Sequence, residues 1–273
     1  MDRYNDNDLE VLRVKSQFHP AAVFRQGQVI IKETGEWATA VHLLLRHLDA
    51  EGFPGAPRVI GSGFDVEGRE LLTYVEGEFQ DMGLWPLEGS AILGKMIRDL
   101  HQATASFQPP LNARWYPWFG RSLGESPSII GHCDVAPWNV VIRDGLPFAL
   151  IDWEYAGPVD PLIELAQACW LNAKLHDDIV AEREALPSLG IRAQHLRAIV
   201  DGYGLSAQER QGFVDKMIDV AICATANEAD EAQILPDTKL DQVDDQVLWG
   251  FAWRARSAAW MIHHRATLQN ALA

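Results

Sequence analysis

The stretch Ser128-Ile129-Ile130-Gly131-His132-Cys133-Asp134-Val135-Ala136-Pro137-Trp138-Asn139-Val140-Val141-Ile142 decides how this chain reads: two apolar runs flank one polar crossing, from His132 to Asn139. The apolar runs predict short strands. Asp144-Gly145 then supplies a two-residue hairpin turn, leading into a further strand, Phe148-Ala149-Leu150-Ile151. This strand ends in Asp152-Trp153-Glu154, and side chains two apart on a strand share a face, so Asp152 and Glu154 are expected to point the same way. Carboxylates and an amide oxygen gathered by a hairpin suit magnesium, a hard cation that takes oxygen ligands and keeps part of its water shell for a phosphate. If Asn139 and Asp152 hold the ion, Asp134 is left to accept a proton from an attacking hydroxyl. Such a hydroxyl needs only weak general-base help once metal polarises the phosphoryl group.

The order His132-x-Asp134-x4-Asn139, then Ile151-Asp152-Trp153-Glu154, then Gly157-Pro158-x-Asp160-Pro161 resembles the aminoglycoside phosphotransferase and choline kinase-like family, whose fold is similar to that of protein kinases. The resemblance implies an α+β, two-lobed protein kinase-like fold with a small antiparallel-sheet N-lobe and a larger, mainly helical C-lobe. It implies Asp134 as catalytic base, Asn139 and Asp152 as magnesium ligands, His132 as a residue that shapes the loop, and ATP or GTP as phosphate donor. Cys133 stands where these small-molecule kinases usually carry glycine. A phosphatase or hydrolase with Cys133 as nucleophile is a poor alternative, because His132 is its immediate neighbour and no oxyanion-forming loop is evident.

At 273 residues the chain is long enough for two lobes, expected at 1–75 and 76–273. Hydrophobic content of 48% and charged content of 22% are those of a globular protein. No apolar run is long enough to span a bilayer, and the polar, acidic start from Met1 to Asp8 lacks the parts of a secretion signal, so a cytoplasmic location is expected. Cys133, Cys169 and Cys223 are far apart and without metal or disulfide spacing, as reduced thiols would be. A net charge of −15 argues against a nucleic-acid partner, which would require Lys and Arg along the phosphates.

Along the chain, Val11 to Val14, Ala22 to Arg25 and Gln28 to Lys32 predict three strands, the last two joined by a turn at Gln26-Gly27. In the resembled family a lysine at the place of Lys32 pairs with nucleotide phosphates. The phosphate-covering loop falls at residues 16–21, which contain no glycine. Thr39 to Ala50 has helical spacing, with Val41 where a kinase presents the glutamate that braces its lysine; Glu33 and Glu36 are imperfect substitutes. Arg58 to Phe64 and Arg69 to Val75 predict a second hairpin, and Tyr74 to Gly77 the hinge. There the resemblance implies that backbone groups of Tyr74 and Glu76 hold the nucleotide base. Helices are expected at Leu87 to Phe107, after Asp160-Pro161, from the Ser206-x-x-Glu209 capping box to Gln233, and from Leu240 to Leu268. Asp160 is expected to cap its helix and hold the catalytic loop from below. Trp249, Trp253 and Trp260 fall on one helical side, as core or as an aromatic cage.

Between Asp201 and Gly250 stand 11 acidic residues against three basic ones, a net of −8, in the segment where the resembled family builds its acceptor pocket. An amine-bearing small-molecule acceptor would be drawn there, although a solvated acidic face gives the same composition. Two readings stand: a kinase that phosphorylates a hydroxyl of a small molecule, or a kinase-like immunity or resistance protein of weak activity that sequesters one. The acceptor, ATP versus GTP, and the oligomeric state are open at this level.

Overall fold

The structure is a computed structural model, and it describes residues 9–15, 21–80, 83–124 and 127–273. β-Branched and aromatic runs near its start form β1 (Glu10–Arg13), β2 (Val23–Gln26) and β3 (Val29–Lys32), joined later by β4 (Val59–Phe64) and β5 (Glu70–Thr73). They make one sheet in the order β1-β2-β3-β5-β4, every adjacent pair antiparallel. The turn between β2 and β3 is Gly27-Gln28, one residue later than expected, because Gly27 takes the positive φ of +60° that the turn requires. The register sets Lys32 opposite Val23 on one side and Glu70 on the other.

Helix α1 (Ala38–Ala50) crosses between β3 and β4, burying Val41, Leu44, Leu45 and Leu48 at the predicted spacing. The phosphate-covering loop expected at 16–21 lies outside the described residues except for Ala21.

The larger lobe carries α2 (Leu87–Thr104), α3 (Pro161–Asn172), α4 (Asp178–Arg183), α5 (Leu189–Tyr203), α6 (Phe213–Glu231), α7 (Asp245–His263) and α8 (Arg265–Leu272). Helices α2 and α5 pack nearly backbone to backbone: a methyl group at Gly94 would lie 2.0 Å from the Ile199 carbonyl oxygen, and one at Gly202 would lie 2.1 Å from that of Ala91. The largest fully buried side chains of this lobe include Trp170 and Phe213.

Two helix boundaries differ from the sequence reading. The Ser206–Glu209 capping box forms, with the Glu209 carboxylate accepting from both the Ser206 N–H and hydroxyl. The helix does not propagate from it, because Gly212 turns to φ +71° and α6 starts only at Phe213. The expected helix from Leu240 to Leu268 is a 3-10 turn at Leu240–Gln242 followed by α7 and α8. Asp244 starts α7 by accepting the Gln246 N–H at 2.8 Å.

Between the lobes' main elements, β6 (Ile129–Gly131) pairs with β9 (Gly157–Val159), and β7 (Val140–Arg143) with β8 (Leu146–Leu150). Asp144 and Gly145 both have positive φ, +53° and +76°, as the predicted hairpin turn demands. No helix among the described residues is long and apolar enough to cross a membrane.

Candidate active site

The loop from His132 to Asn139 is fixed from three sides. His132 is fully buried; its Nε2–H donates to the Ile151 carbonyl at 2.9 Å and its Nδ1 accepts the Asp134 N–H at 3.2 Å. Burial lowers its pKa, which agrees with a neutral ring serving as donor and acceptor at once. From below, Glu164 of α3, also fully buried, accepts the Cys133 N–H at 2.5 Å and contacts His101 Nε2 at 2.6 Å. Asp160 caps α3 by accepting the Leu162 N–H at 2.8 Å, and the carboxylate that receives the loop's N–H is Glu164, one turn further on. Its approach needs a glycine in β6, since a methyl group at Gly131 would lie 2.3 Å from Glu164 Oε2.

Cys133 has φ +64°, a left-handed conformation that glycine adopts freely and other residues rarely do. Its thiol is buried, and burial raises its pKa well above the ordinary value, with Glu164 adding to the rise, so it is no thiolate nucleophile.

Asn139 donates Nδ2 to Asp134 Oδ2 at 2.7 Å and to the Asp134 carbonyl at 3.1 Å. Its own carbonyl accepts the Ile151 N–H at 2.9 Å, which sets the end of β8 beside the loop. Asp152 follows with φ +60°, and Trp153–Tyr155 forms a 3-10 turn. Asp152 and Glu154 therefore do not share a strand face, as the sequence suggested. They converge through this turn: Lys32 Nζ lies 2.5 Å from Asp152 Oδ1 and 2.8 Å from Glu154 Oε2. Arg13, on β1, adds a contact of 3.2 Å to Asp152 Oδ2.

These contacts divide the two aspartates electrostatically. Burial pushes Asp134 up to about 7, and the charge on Asp152 adds to the rise. Asp152 meets the same desolvation, but Lys32 and then Arg13 overcome it and hold its carboxyl at about 2. Lys32 is desolvated as well, yet Asp152, Glu154 and Glu70 together keep its pKa raised, so it stays protonated.

No glutamate from α1 reaches Lys32: Val41 is packed in the core, Glu33 pairs with Lys15 at 2.7 Å, and Glu36 with Arg114 at 2.5 Å. What α1 contributes is His42, buried and 3.1 Å from Glu70, the cross-strand neighbour of Lys32. At the hinge, the Tyr74 N–H donates to the Gln28 carbonyl and the Tyr74 ring lies under the Arg25 guanidinium at 3.7 Å. The Glu76 carbonyl accepts from Arg143 at 3.0 Å, while its side chain is exposed.

Asp134, Asn139, Asp152 and Glu154 all line one cleft of about 990 Å³, at the upper end of the ordinary range for small-molecule sites. Tyr74 and Glu76 lie apart from its lining. Tyr116, Trp118, Tyr155, Trp170 and Trp253 line the same cleft, as do residues of α6 and α7. Of the 11 acidic residues between Asp201 and Gly250, only Glu228, Glu231 and Asp244 line the cleft, and Glu228 is paired with Arg254 at 3.0 Å. The three tryptophans separate: Trp260 is buried, Trp253 stacks on Trp170, and Trp249 is 40% exposed.

Sequence reasoning missed Arg13, His42, Glu70, Glu164 and Arg121, whose guanidinium ties the carbonyls of Tyr116, Tyr155, Ala156 and Pro158 behind the loop. Glu164 had a signal, a lone charge within the apolar run Leu162 to Leu171; the others had none.

A kinase-like fold with a loop acid beside an amide, and a lysine joined to a second acid, defines the phosphotransferase enzyme family, to which this chain belongs; residues 107–195 match that family's sequence profile. Over 251 residues the chain is 55% identical to the trifolitoxin immunity protein of Rhizobium leguminosarum bv. trifolii, covering 92% of this chain and 95% of that one. Among solved structures, an amicoumacin kinase in complex with AMP-PNP and Ca2+ superimposes with a TM-score of 0.69 at 10% identity, covering 94% of this chain and 89% of that one. A microcompartment-associated aminopropanol kinase gives 0.63 at 13% identity, covering 97% and 94%. At these identities the structures share the fold.

Proposed function

We propose that this chain is a magnesium- and nucleotide-dependent kinase, cytoplasmic, that phosphorylates a hydroxyl group of a toxic small molecule. The observation that carries it is the split between the two aspartates: one raised to about 7 and hydrogen-bonded to Asn139, the other held ionised by Lys32 and Arg13, both on one cleft. A carboxylate near pH 7 is matched to accept a proton. As the acceptor oxygen bonds to the γ-phosphorus and the bridging bond to the β-phosphate breaks, Asp134 takes the hydroxyl's proton.

The donor set fits magnesium. Asn139 uses its Nδ2 on Asp134, which leaves its Oδ1 for an ion, and Asp152 supplies a carboxylate. Magnesium takes part of its shell from water and phosphate, so two protein oxygens suffice for the protein's share. When bound, magnesium would polarise the transferred phosphoryl group. Lys32 would turn from Asp152 and Glu154 toward the phosphates, with ATP or GTP between the lobes at 1–75 and 76–273 and its base against the Tyr74 and Glu76 backbone. The immunity relative suggests a toxin as acceptor, modified and so disarmed.

The test is Asp134→Ala with a panel of amines, sugars and antibiotics: nucleotide binding stays and phosphate transfer is lost. Unchanged turnover would remove the assignment. A second reading, protection by sequestration, is favoured by the want of an α1 glutamate on Lys32. Calorimetry separates the two, since nucleotide binding indifferent to magnesium supports sequestration.

A further inference from the structure

Arg13 comes to the site through an irregularity at the edge of the sheet. Glu10 and Val11 of β1 pair with Arg25 and Phe24 of β2, a register that would set Leu12 opposite Val23 and turn Arg13 to the other face. The pairing then slips by one residue, and Arg13 stands opposite Val23 instead, the re-aiming of a side chain that a bulge produces. Val23 is itself opposite Lys32, and directly opposed residues share a face, so Arg13 and Lys32 belong to one row across the sheet. Both end on the same carboxylate: Lys32 Nζ lies 2.5 Å from Asp152 Oδ1, and Arg13 Nη1 lies 3.2 Å from Asp152 Oδ2. Each oxygen of Asp152 is therefore held by a cation of the five-stranded sheet.

A guanidinium on Oδ2 takes an oxygen that a magnesium ion on Asp152 would use, and it repels the ion besides. We propose that Arg13 is a phosphate-binding residue, which occupies Asp152 in the free chain and passes to the nucleotide phosphates when nucleotide and metal enter. The proposal rests on Asp152 being a metal ligand of the phosphotransfer proposed above. Oxygens that share a magnesium ion lie within about 4 Å of each other, twice its bond length of about 2.0–2.1 Å. Phosphate oxygens on such an ion come within the reach that Arg13 already spans to Asp152. The exchange favours phosphate, because the contact to Asp152 is one hydrogen bond between side chains 28% and 25% exposed, whereas a guanidinium fits a phosphate with two parallel N–H bonds. The sequence also leaves the task to a side chain, since residues 14–22 between β1 and β2 contain no glycine to bring backbone N–H groups onto a phosphate. Lys15, the next cation along, is paired with Glu33 at 2.7 Å.

The experiment compares the parent with Arg13→Gln and Arg13→Lys in two titrations. Mn2+ alone is followed by the electron paramagnetic resonance of the free ion, and AMP-PNP, with and without saturating Mn2+, by calorimetry. Arg13→Gln should bind Mn2+ alone about fivefold more tightly, the upper worth of a partly exposed ion pair that the metal no longer has to break. With Mn2+ present it should bind AMP-PNP about tenfold more weakly, the effect of one hydrogen bond to a charged group. Arg13→Lys keeps the charge and loses the fork, so it should match the parent toward Mn2+ and fall between the other two toward AMP-PNP. The opposite signs are the signature: a merely structural Arg13 would weaken both ligands when replaced, and one that only repels metal would strengthen both.

Equal or weaker Mn2+ binding by Arg13→Gln overturns the proposal, as does AMP-PNP bound equally or more tightly than by the parent. Where the parent itself binds AMP-PNP only with Mn2+, those results remove Arg13 and leave the kinase reading standing. Where the parent binds AMP-PNP indifferently to Mn2+, the kinase reading falls, and the proposal, which needs a metal on Asp152, falls with it.

Discussion

Lys32 Nζ lies 2.5 Å from Asp152 Oδ1, so two groups that the proposed reaction uses on opposite sides of a phosphate are joined to each other in the free chain. Glu154 completes the cluster at 2.8 Å, and all three side chains are at least three-quarters buried. Lys32→Met would leave Glu154 without its partner and Asp152 with Arg13 alone, and breaking a buried pair from one side costs about 3–5 kcal/mol. Arg13→Ala removes a more exposed contact, 28% and 25% exposed at its ends, and should cost about 1 kcal/mol or less. Urea denaturation of the two variants checks the ranking; equal losses would show that Lys32 is not the main neutraliser of Asp152.

Glu164 reaches the His132–Asn139 loop by a single backbone N–H, that of Cys133, and the same carboxylate holds His101. Glu164→Gln should lower stability by about 1.5–3 kcal/mol, the range for a hydrogen bond to a charged group. Burial would raise this carboxyl, but His101 and the Cys133 N–H overcome it and lower its pKa. Its stabilisation is therefore present above the unfolded value of about 4.3 and is lost as pH falls through the folded one. The variant should show a flatter acid limb in a denaturation series from pH 6 to pH 3, and Gly131→Ala, which crowds Glu164 Oε2, should lower stability in the same series.

The sequence made the core of the site legible because its groups sit beside short, strongly punctuated elements: Asp144-Gly145 fixes one hairpin, Asp160-Pro161 starts α3, Asn139 ends the 3-10 turn before β7, Asp152 follows β8, and Asp134 lies in the loop after β6. The sheet and α1 were readable from period alone. What escaped depends on register and on distant packing. Glu70 becomes the neighbour of Lys32 only once β3 pairs with β5, and His42 matters only once α1 lies over Glu70. The convergence of Asp152 and Glu154 was expected for a different reason, since the strand ends at Leu150 and a left-handed Asp152 followed by a 3-10 turn does the gathering. A capping box likewise marks a turn but cannot ensure a helix when Gly212 follows.

Cys133 tests the value of glycine at a left-handed position. Cys133→Gly relieves the φ of +64° but gives up a buried side chain, and these opposing terms should leave stability within about 1–2 kcal/mol of the parent. Cys133→Val adds β-branching at positive φ and should be far more damaging. Because burial raises the thiol, a thiol reagent should label Cys133 only as the chain unfolds. Rapid labelling of the folded protein at Cys133 would contradict this burial.

Asp134 carries the pH dependence that follows most directly from the site. In the metal-free chain burial, then repulsion from Asp152, pushes its carboxyl to about 7, against about 3.9 for an unfolded aspartate. The sign follows from linkage: the folded state holds its proton longer than the unfolded state, so the group's contribution is full below pH 3.9 and is lost as pH rises to about 7. Asp134→Asn keeps an oxygen for Asn139 Nδ2 and has no carboxyl to ionise. With a chelator present, the variant and the parent should differ least near pH 4, and the variant should gain steadily on the parent up to pH 8, read as urea midpoints. Magnesium added at pH 8 should narrow the gap, because a cation beside Asp152 removes the repulsion that raised Asp134. A gap that stays constant across the series would mean that Asp134 is an ordinary, solvated carboxylate, and the proton-accepting role assigned to it would fall with that result.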